Sequence, residues 1–115
     1  MPSQGTDLLL RIFIGEHHHI DGKPLYDSIV FKAREQGLTG ATVLRGPMGF
    51  GHSSLLHTGK ILRLSEDLPV VVEIVDSKEK ITGFSSLLEG MVKSGLVTLE
   101  EIRVLRYGPG QNKLT

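Results

Sequence analysis

Ala41-Thr42-Val43-Leu44, running into Arg45-Gly46-Pro47-Met48-Gly49-Phe50-Gly51-His52, is the stretch whose reading decides the fold. An apolar run of strand length ends in an arginine and three glycines, and no amphipathic helix follows directly. Glycine suits backbone that must bend sharply or let a ligand approach its N–H groups, because no Cβ intervenes. A glycine-rich hairpin turn and a ligand loop both fit these residues. The next strand is Pro69-Val70-Val71-Val72-Glu73-Ile74-Val75, opening on a proline where a strand tolerates one. A parallel doubly wound sheet needs a crossover helix between two such strands. The connection offers only Ser54 to Leu64, and Thr58-Gly59 breaks its pattern. An antiparallel arrangement is therefore favoured.

Toward the N-terminus, Leu8 to Ile14 reads as a buried strand whose single charge is Arg11. Gly15 to Gly22 reads as a polar loop carrying Glu16, His17, His18, His19 and Asp21. Pro24 suits an early helical position, and Leu25, Tyr26, Ile29, Val30 and Ala33 then recur on one face until Gly37 stops the helix. Phe31 lies off that stripe and suggests a second buried surface. Toward the C-terminus, Asp76 and Glu79 have the spacing of a capping box. The helix they open carries Ile81, Phe84, Leu88 and Met91 on one face and ends near Lys93-Ser94-Gly95. Val97 to Leu105 is the last strand. The order β-α-β, long loop, β-α-β predicts an α+β fold, the ferredoxin-like βαββαβ sandwich: a four-stranded antiparallel sheet with two helices on one face. One domain spans residues 8–107, with 1–7 and 108–115 as flexible tails. The other sheet face has no helical cover, so its apolar strands point to oligomerisation.

The chain has 115 residues, 39% of them hydrophobic, with 13 basic against 13 acidic side chains. Zero formal charge gives no electrostatic case for nucleic acid or an anionic membrane as partner. No cysteine occurs, which excludes disulfides, thiolate nucleophiles and Cys-based metal sites. A membrane span needs about 20 apolar residues. The longest runs, such as Leu68 to Val75, reach strand length only, so no membrane insertion is expected. The first residues lack the basic start and apolar core of a signal peptide, so the cytoplasm is the expected location.

Chemical motifs are sparse. Gly46 to Gly51 does not have the glycine order of a dinucleotide fingerprint, and Gly59-Lys60-Ile61 lacks the Ser or Thr that a phosphate-binding P-loop places after its lysine. Adjacent side chains of His17-His18-His19 diverge on an extended chain, so a solvated loop outweighs a metal site there. His52, His57, Ser53 and Ser54 form no recognisable catalytic set, and no enzymatic activity is expected. Arg45, Arg103 and Arg106 are the phosphate-binding candidates by chemistry, since a guanidinium fork matches phosphate oxygens. An exposed strand-edge role is at least as good a reading of Arg103.

Gly37-Leu38-Thr39-Gly40-Ala41-Thr42-Val43 followed by Gly49-Phe50-Gly51 is similar to the core of the PII signal-transduction proteins. Leu68 to Asp76 resembles their third strand and Ile102 to Gly108 their last. Over Leu9 to Tyr107 the chain resembles an uncharacterised PII-like family of small bacterial and archaeal proteins. Its marks are Gly15-Glu16, Gly22-Lys23-Pro24-Leu25-Tyr26, Gly40 to Gly46, and Gly49-Phe50-Gly51. The resemblance implies a homotrimer with its sheets facing a central axis and ligand clefts between subunits. In PII proteins those clefts bind ATP or ADP, and the long T-loop carries the signal to a protein target.

Carried over by position, Thr42 would contact the base side, Gly49 and Gly51 would offer backbone to phosphates, and Arg106 would reach them from the C-terminal strand. His52 stands where PII proteins have arginine, and one extra residue lies between Val43 and Gly49. The glycine- and lysine-rich B-loop is missing, leaving Lys93 the one cation in the short connection 91–97, and residues 52–60 contain no tyrosine to be uridylylated. The expected ligand set is Thr42, Arg45, Gly49, Gly51, His52 and Arg106. The expected function is a trimeric regulator that binds a small anion, an adenine nucleotide foremost. It would act through loop 46–60 on a protein partner, a membrane transporter being the class the resemblance suggests. The alternative is a divalent-metal trimer like the CutA proteins, using the His17–His19 loop or His52 and His57.

Overall fold

The structure, a computed structural model, describes residues 6–49 and 67–108. Its elements are β1 (Asp7–Gly15), β2 (His19–Ile20), β3 (Lys23–Pro24), α1 (Leu25–Glu35), β4 (Thr42–Arg45), β5 (Pro69–Ser77), α2 (Lys78–Met91) and β6 (Leu96–Ile102). The main sheet has the order β4-β5-β1-β6, and every neighbouring pair is antiparallel. With two helices packed on one face, this is the ferredoxin-like α+β fold. No helix among the described residues is long and apolar enough to cross a membrane.

The pleat sorts the two central strands. Leu8, Leu10, Ile12 and Ile14 of β1 alternate toward the helices, as do Val70, Val72 and Ile74 of β5. They meet Leu25, Ile29 and Ala33 of α1 and Ile81, Phe84 and Leu88 of α2 in one core. Residues of the other parity, among them Arg11, Phe13, Val71 and Glu73, face away from the helices. Helix α1 ends as its sequence suggests. Gly37 takes φ +80°, the Leu38 N–H donates to Ala33 O (3.0 Å) and the Gly37 N–H to Arg34 O (3.1 Å), satisfying carbonyls the last turn would leave open.

Four sequence expectations need correction. Residues 15–22 are not simply a loop: β2 and β3 form a small hairpin, with Asp21 at φ 52° and Gly22 at φ 78°. Asp-Gly is the dipeptide that makes such a two-residue turn, because both central residues need positive φ. Second, the cap of α2 is Ser77, whose Oγ accepts from the Lys80 N–H at 3.3 Å. Asp76 shares the parity of Val70, Val72 and Ile74, so the pleat carries it inward and away from the helix start. Third, β6 stops at Ile102 rather than Leu105, because Ile102 is already opposite Asp7, the first residue of β1. Fourth, Phe31 is 69% exposed and belongs to no buried surface among the described residues.

Candidate functional site

Three chain segments converge where β1 and β4 end and β5 begins. The Glu16 N–H donates to Leu68 O (2.8 Å), the His17 N–H to Asp67 Oδ1 (3.0 Å) and the Gly46 N–H to Pro69 O (2.8 Å). Arg45 Nε meets Glu16 Oε2 at 2.9 Å. Two glycines here stand at points of close approach. A Cβ on Gly15 would lie 2.7 Å from the Asp67 carboxylate oxygens, and one on Gly46 would lie 2.8 Å from Pro69 Cγ. Gly46 and Gly49 both rest against the Pro69 ring. The glycine-rich stretch is therefore partly a packing device that brings the chain leading into residues 50–66 against the chain leading out.

The opposite end of the sheet is organised by Asp76, which is fully buried. Its Oδ2 accepts from the Thr39 N–H (2.9 Å) and Thr39 Oγ1–H (3.2 Å), and its Oδ1 from the Ser77 N–H (2.7 Å). Thr39 O in turn accepts from the Tyr107 hydroxyl at 3.0 Å. Lys80 Nζ donates to Gly37 O at 3.2 Å. The segment after β6 thus crosses from the β6 side of the sheet to the α1–β4 connection. Arg106 is exposed and sits beside that Tyr107 contact.

The helix-free face carries a ladder of charge across three strands. Arg11 of β1 donates through Nε to Glu73 of β5 (2.9 Å) and through Nη1 to Glu100 of β6 (3.2 Å). The hydrogen bond to Glu73, aided by both carboxylate charges, pushes the Arg11 guanidinium above its ordinary pKa. Around this ladder lie Phe13, Leu44 and Leu96, all exposed. Thr42 is opposite Glu73, and directly paired residues share a face, so Thr42 borders the ladder at the β4 edge.

The sequence-derived set therefore divides. Arg45 and Gly49 lie at the Pro69 end of β5, whereas Arg106 lies at the Asp76 end. Those ends are seven strand residues apart, or about 24 Å at the rise of an antiparallel strand. Arg45, moreover, is already paired with Glu16. Gly51, His52 and His57 lie outside the described residues. Among the described residues no group of three His, Asp or Glu side chains is placed to hold a metal. His19 Nδ1 is turned to the His17 carbonyl oxygen at 2.6 Å.

Sequence reasoning passes over Glu16, Asp67 and Tyr107 as members of these clusters. Glu16 and Arg45 are brought together by the sheet end alone, and no local pattern links them. Asp76 is discoverable from its parity within the strand.

Residues 7–104 match the DUF190 family, described as "Uncharacterized ACR, COG1993". A UPF0166 protein of Aquifex aeolicus (strain VF5) is 43% identical over 97 residues, covering 84% of this chain and 91% of that one. A UPF0166 protein of Methanocaldococcus jannaschii is 31% identical over 99 residues, with 85% and 91% covered. Among solved structures, a putative PII-like signaling protein of Thermus thermophilus superposes with a TM-score of 0.58 at 14% identity, covering 84% of this chain and 87% of that one. The B. subtilis GlnK–ATP complex gives 0.54 at 13% identity, with 84% and 82% covered. The nitrogen regulatory PII-like protein CPII of Thiomonas intermedia K12, bound to ADP, AMP and bicarbonate, gives 0.54 at 17%, with 90% and 92% covered. The structural likeness establishes the PII-like fold, and the sequence match establishes kinship: this chain belongs to the DUF190 family.

Proposed function

We propose that this protein is a PII-like regulator that assembles as a homotrimer through its helix-free sheet face and binds a small anion, an adenine nucleotide foremost, between subunits. It works by binding rather than by turnover, in the cytoplasm. The loop from Gly46 to about Lys60 carries the response to a protein partner, such as a membrane transporter. Thr42, Arg45, Gly49, Gly51 and His52 of one subunit and Arg106 of its neighbour make the ligand set.

The observation that carries this reading is the division of the candidate residues between the two ends of β5. Arg45 and Arg106 of one subunit lie too far apart to meet on one small ligand, which supports a site shared between neighbouring copies. The sheet face between them favours that association, because it exposes Phe13, Leu44 and Leu96 around an arginine already engaged by two carboxylates. Two of the structures sharing the fold hold adenine nucleotides.

Sedimentation together with calorimetric titration of ATP, ADP and AMP tests the proposal. A threefold mass and saturable heat with at least one nucleotide are expected. Arg106→Ala should weaken that binding by about 1.5–3 kcal/mol, the worth of a charge-assisted hydrogen bond. A monomer at working concentration, or no heat with any of the three at near-millimolar protein, refutes it.

A further inference from the structure

The pair Arg45–Glu16 has two unequal members. Glu16 sits on fixed backbone: its own N–H is bonded to Leu68 O and the next N–H to the Asp67 carboxylate. Its side chain is 25% exposed. Arg45 is the last residue of β4, on a side chain 50% exposed with several rotatable bonds. The Glu16 carboxylate, carried on this held backbone, occupies a guanidinium N–H that a phosphate oxygen would also seek, since carboxylate and phosphate are both oxyanions with the same hydrogen-bond demand.

Glu16 is also joined to both stems of the chain around residues 50–66. Through its side chain it holds Arg45, next to Gly46, and through its backbone it holds Leu68. Gly46 closes the same circuit by donating to Pro69 O. Loss of the Arg45 contact therefore removes a tie between the end of β1 and the stem leading into that region.

We propose that Glu16 is a built-in counter-anion for Arg45. It holds the guanidinium and the end of β4 in the unliganded protein, and is exchanged for an anionic group of the ligand on binding. The proposal rests on the reading of Arg45 as a ligand-binding residue given above. It adds the residue that sets the affinity of that site and couples occupancy to the stem at Gly46. Glu16 is thus a positioning residue that opposes binding.

The test uses the full chain and ADP as probe. ADP is titrated calorimetrically into the wild type, Glu16→Gln, Arg45→Gln and Glu89→Gln, the last making the same charge change on an exposed position of α2. Amide exchange at Gly46 is followed in each protein without ADP. Glutamine keeps Glu16 nearly isosteric while removing its charge, and at position 45 it removes the guanidinium.

Glu16→Gln should bind ADP about three- to fivefold more tightly, the size of a partly exposed ion pair removed from competition. Arg45→Gln should bind about tenfold more weakly. Glu89→Gln should match the wild type. Gly46 exchange should quicken in both the Glu16 and Arg45 variants. Equal or weaker ADP binding by Glu16→Gln, while Arg45→Gln is weakened, overturns the counter-anion and leaves the regulator reading standing. The same gain from Glu89→Gln, or unchanged Gly46 exchange in Glu16→Gln, also overturns it. No heat from ADP in any of the four proteins overturns it together with ADP as a ligand of this site.

Discussion

Replacing Asp76 by alanine should cost about 3 kcal/mol of folding stability, and the figure follows from its surroundings. The carboxylate is fully buried and accepts from two backbone N–H groups, of Thr39 (2.9 Å) and Ser77 (2.7 Å), and from the Thr39 hydroxyl (3.2 Å). Truncation leaves two amides without this acceptor. Each such orphan costs about 1–3 kcal/mol when water cannot reach it. The loss is offset in part, because a buried charge and its desolvation penalty disappear as well. Against a typical stability of about 5–15 kcal/mol, a net loss near 3 is large but survivable. Urea denaturation at matched protein concentration measures it, with the slope expected unchanged because the fold is kept. Thr39→Ala, which removes only the hydroxyl, should lose about 1 kcal/mol. If Asp76→Ala lost less than 1 kcal/mol, or no more than Thr39→Ala, Asp76 would not be the anchor of the α1–β4 connection.

Gly95→Ala should destabilise by about 2–3 kcal/mol, because its φ of +149° disfavours a side chain and the new Cβ would lie 2.6 Å from the Phe13 carbonyl oxygen; thermal melting checks it. Ser77→Ala removes the cap of α2 and should cost about 1 kcal/mol in the same assay. Arg11→Ala leaves Glu73 and Glu100 facing each other across β1, so the proposed trimer should dissociate at protein concentrations on the order of tenfold higher, read by sedimentation. The raised pKa of Arg11 means that its favourable contribution is complete below the ordinary arginine value and fades only as pH rises through the higher folded value. Arg11 itself should therefore add no slope to stability in the neutral range.

The sequence reading and the structure part company at particular residues, each for an identifiable reason. Helix α1 is legible to its last turn because Leu25, Ile29 and Ala33 repeat at helical spacing and Gly37 stops them. The Asp21-Gly22 hairpin is masked by the three histidines, which dominate any reading of residues 15–22. Asp76 imitates a cap because Asp and Glu three apart fit that motif. The extra residues of β5, however, place Asp76 inside the sheet.

By itself the sequence determined the βαββαβ order, since hydrophobic periodicity and the glycine and proline stops are local properties of the chain. It also determined kinship, and it supplied the arginines that an anion site would use. Only the tertiary structure decided that Arg45 is already held by Glu16. It alone placed Arg106 at the opposite end of the sheet from Gly49 and gathered Glu73 and Glu100 on Arg11. The two Arg11 pairs join residues 62 and 89 positions apart, and strand register sets them. A short motif cannot encode register, because it arises from the pairing of whole strands around a shared core.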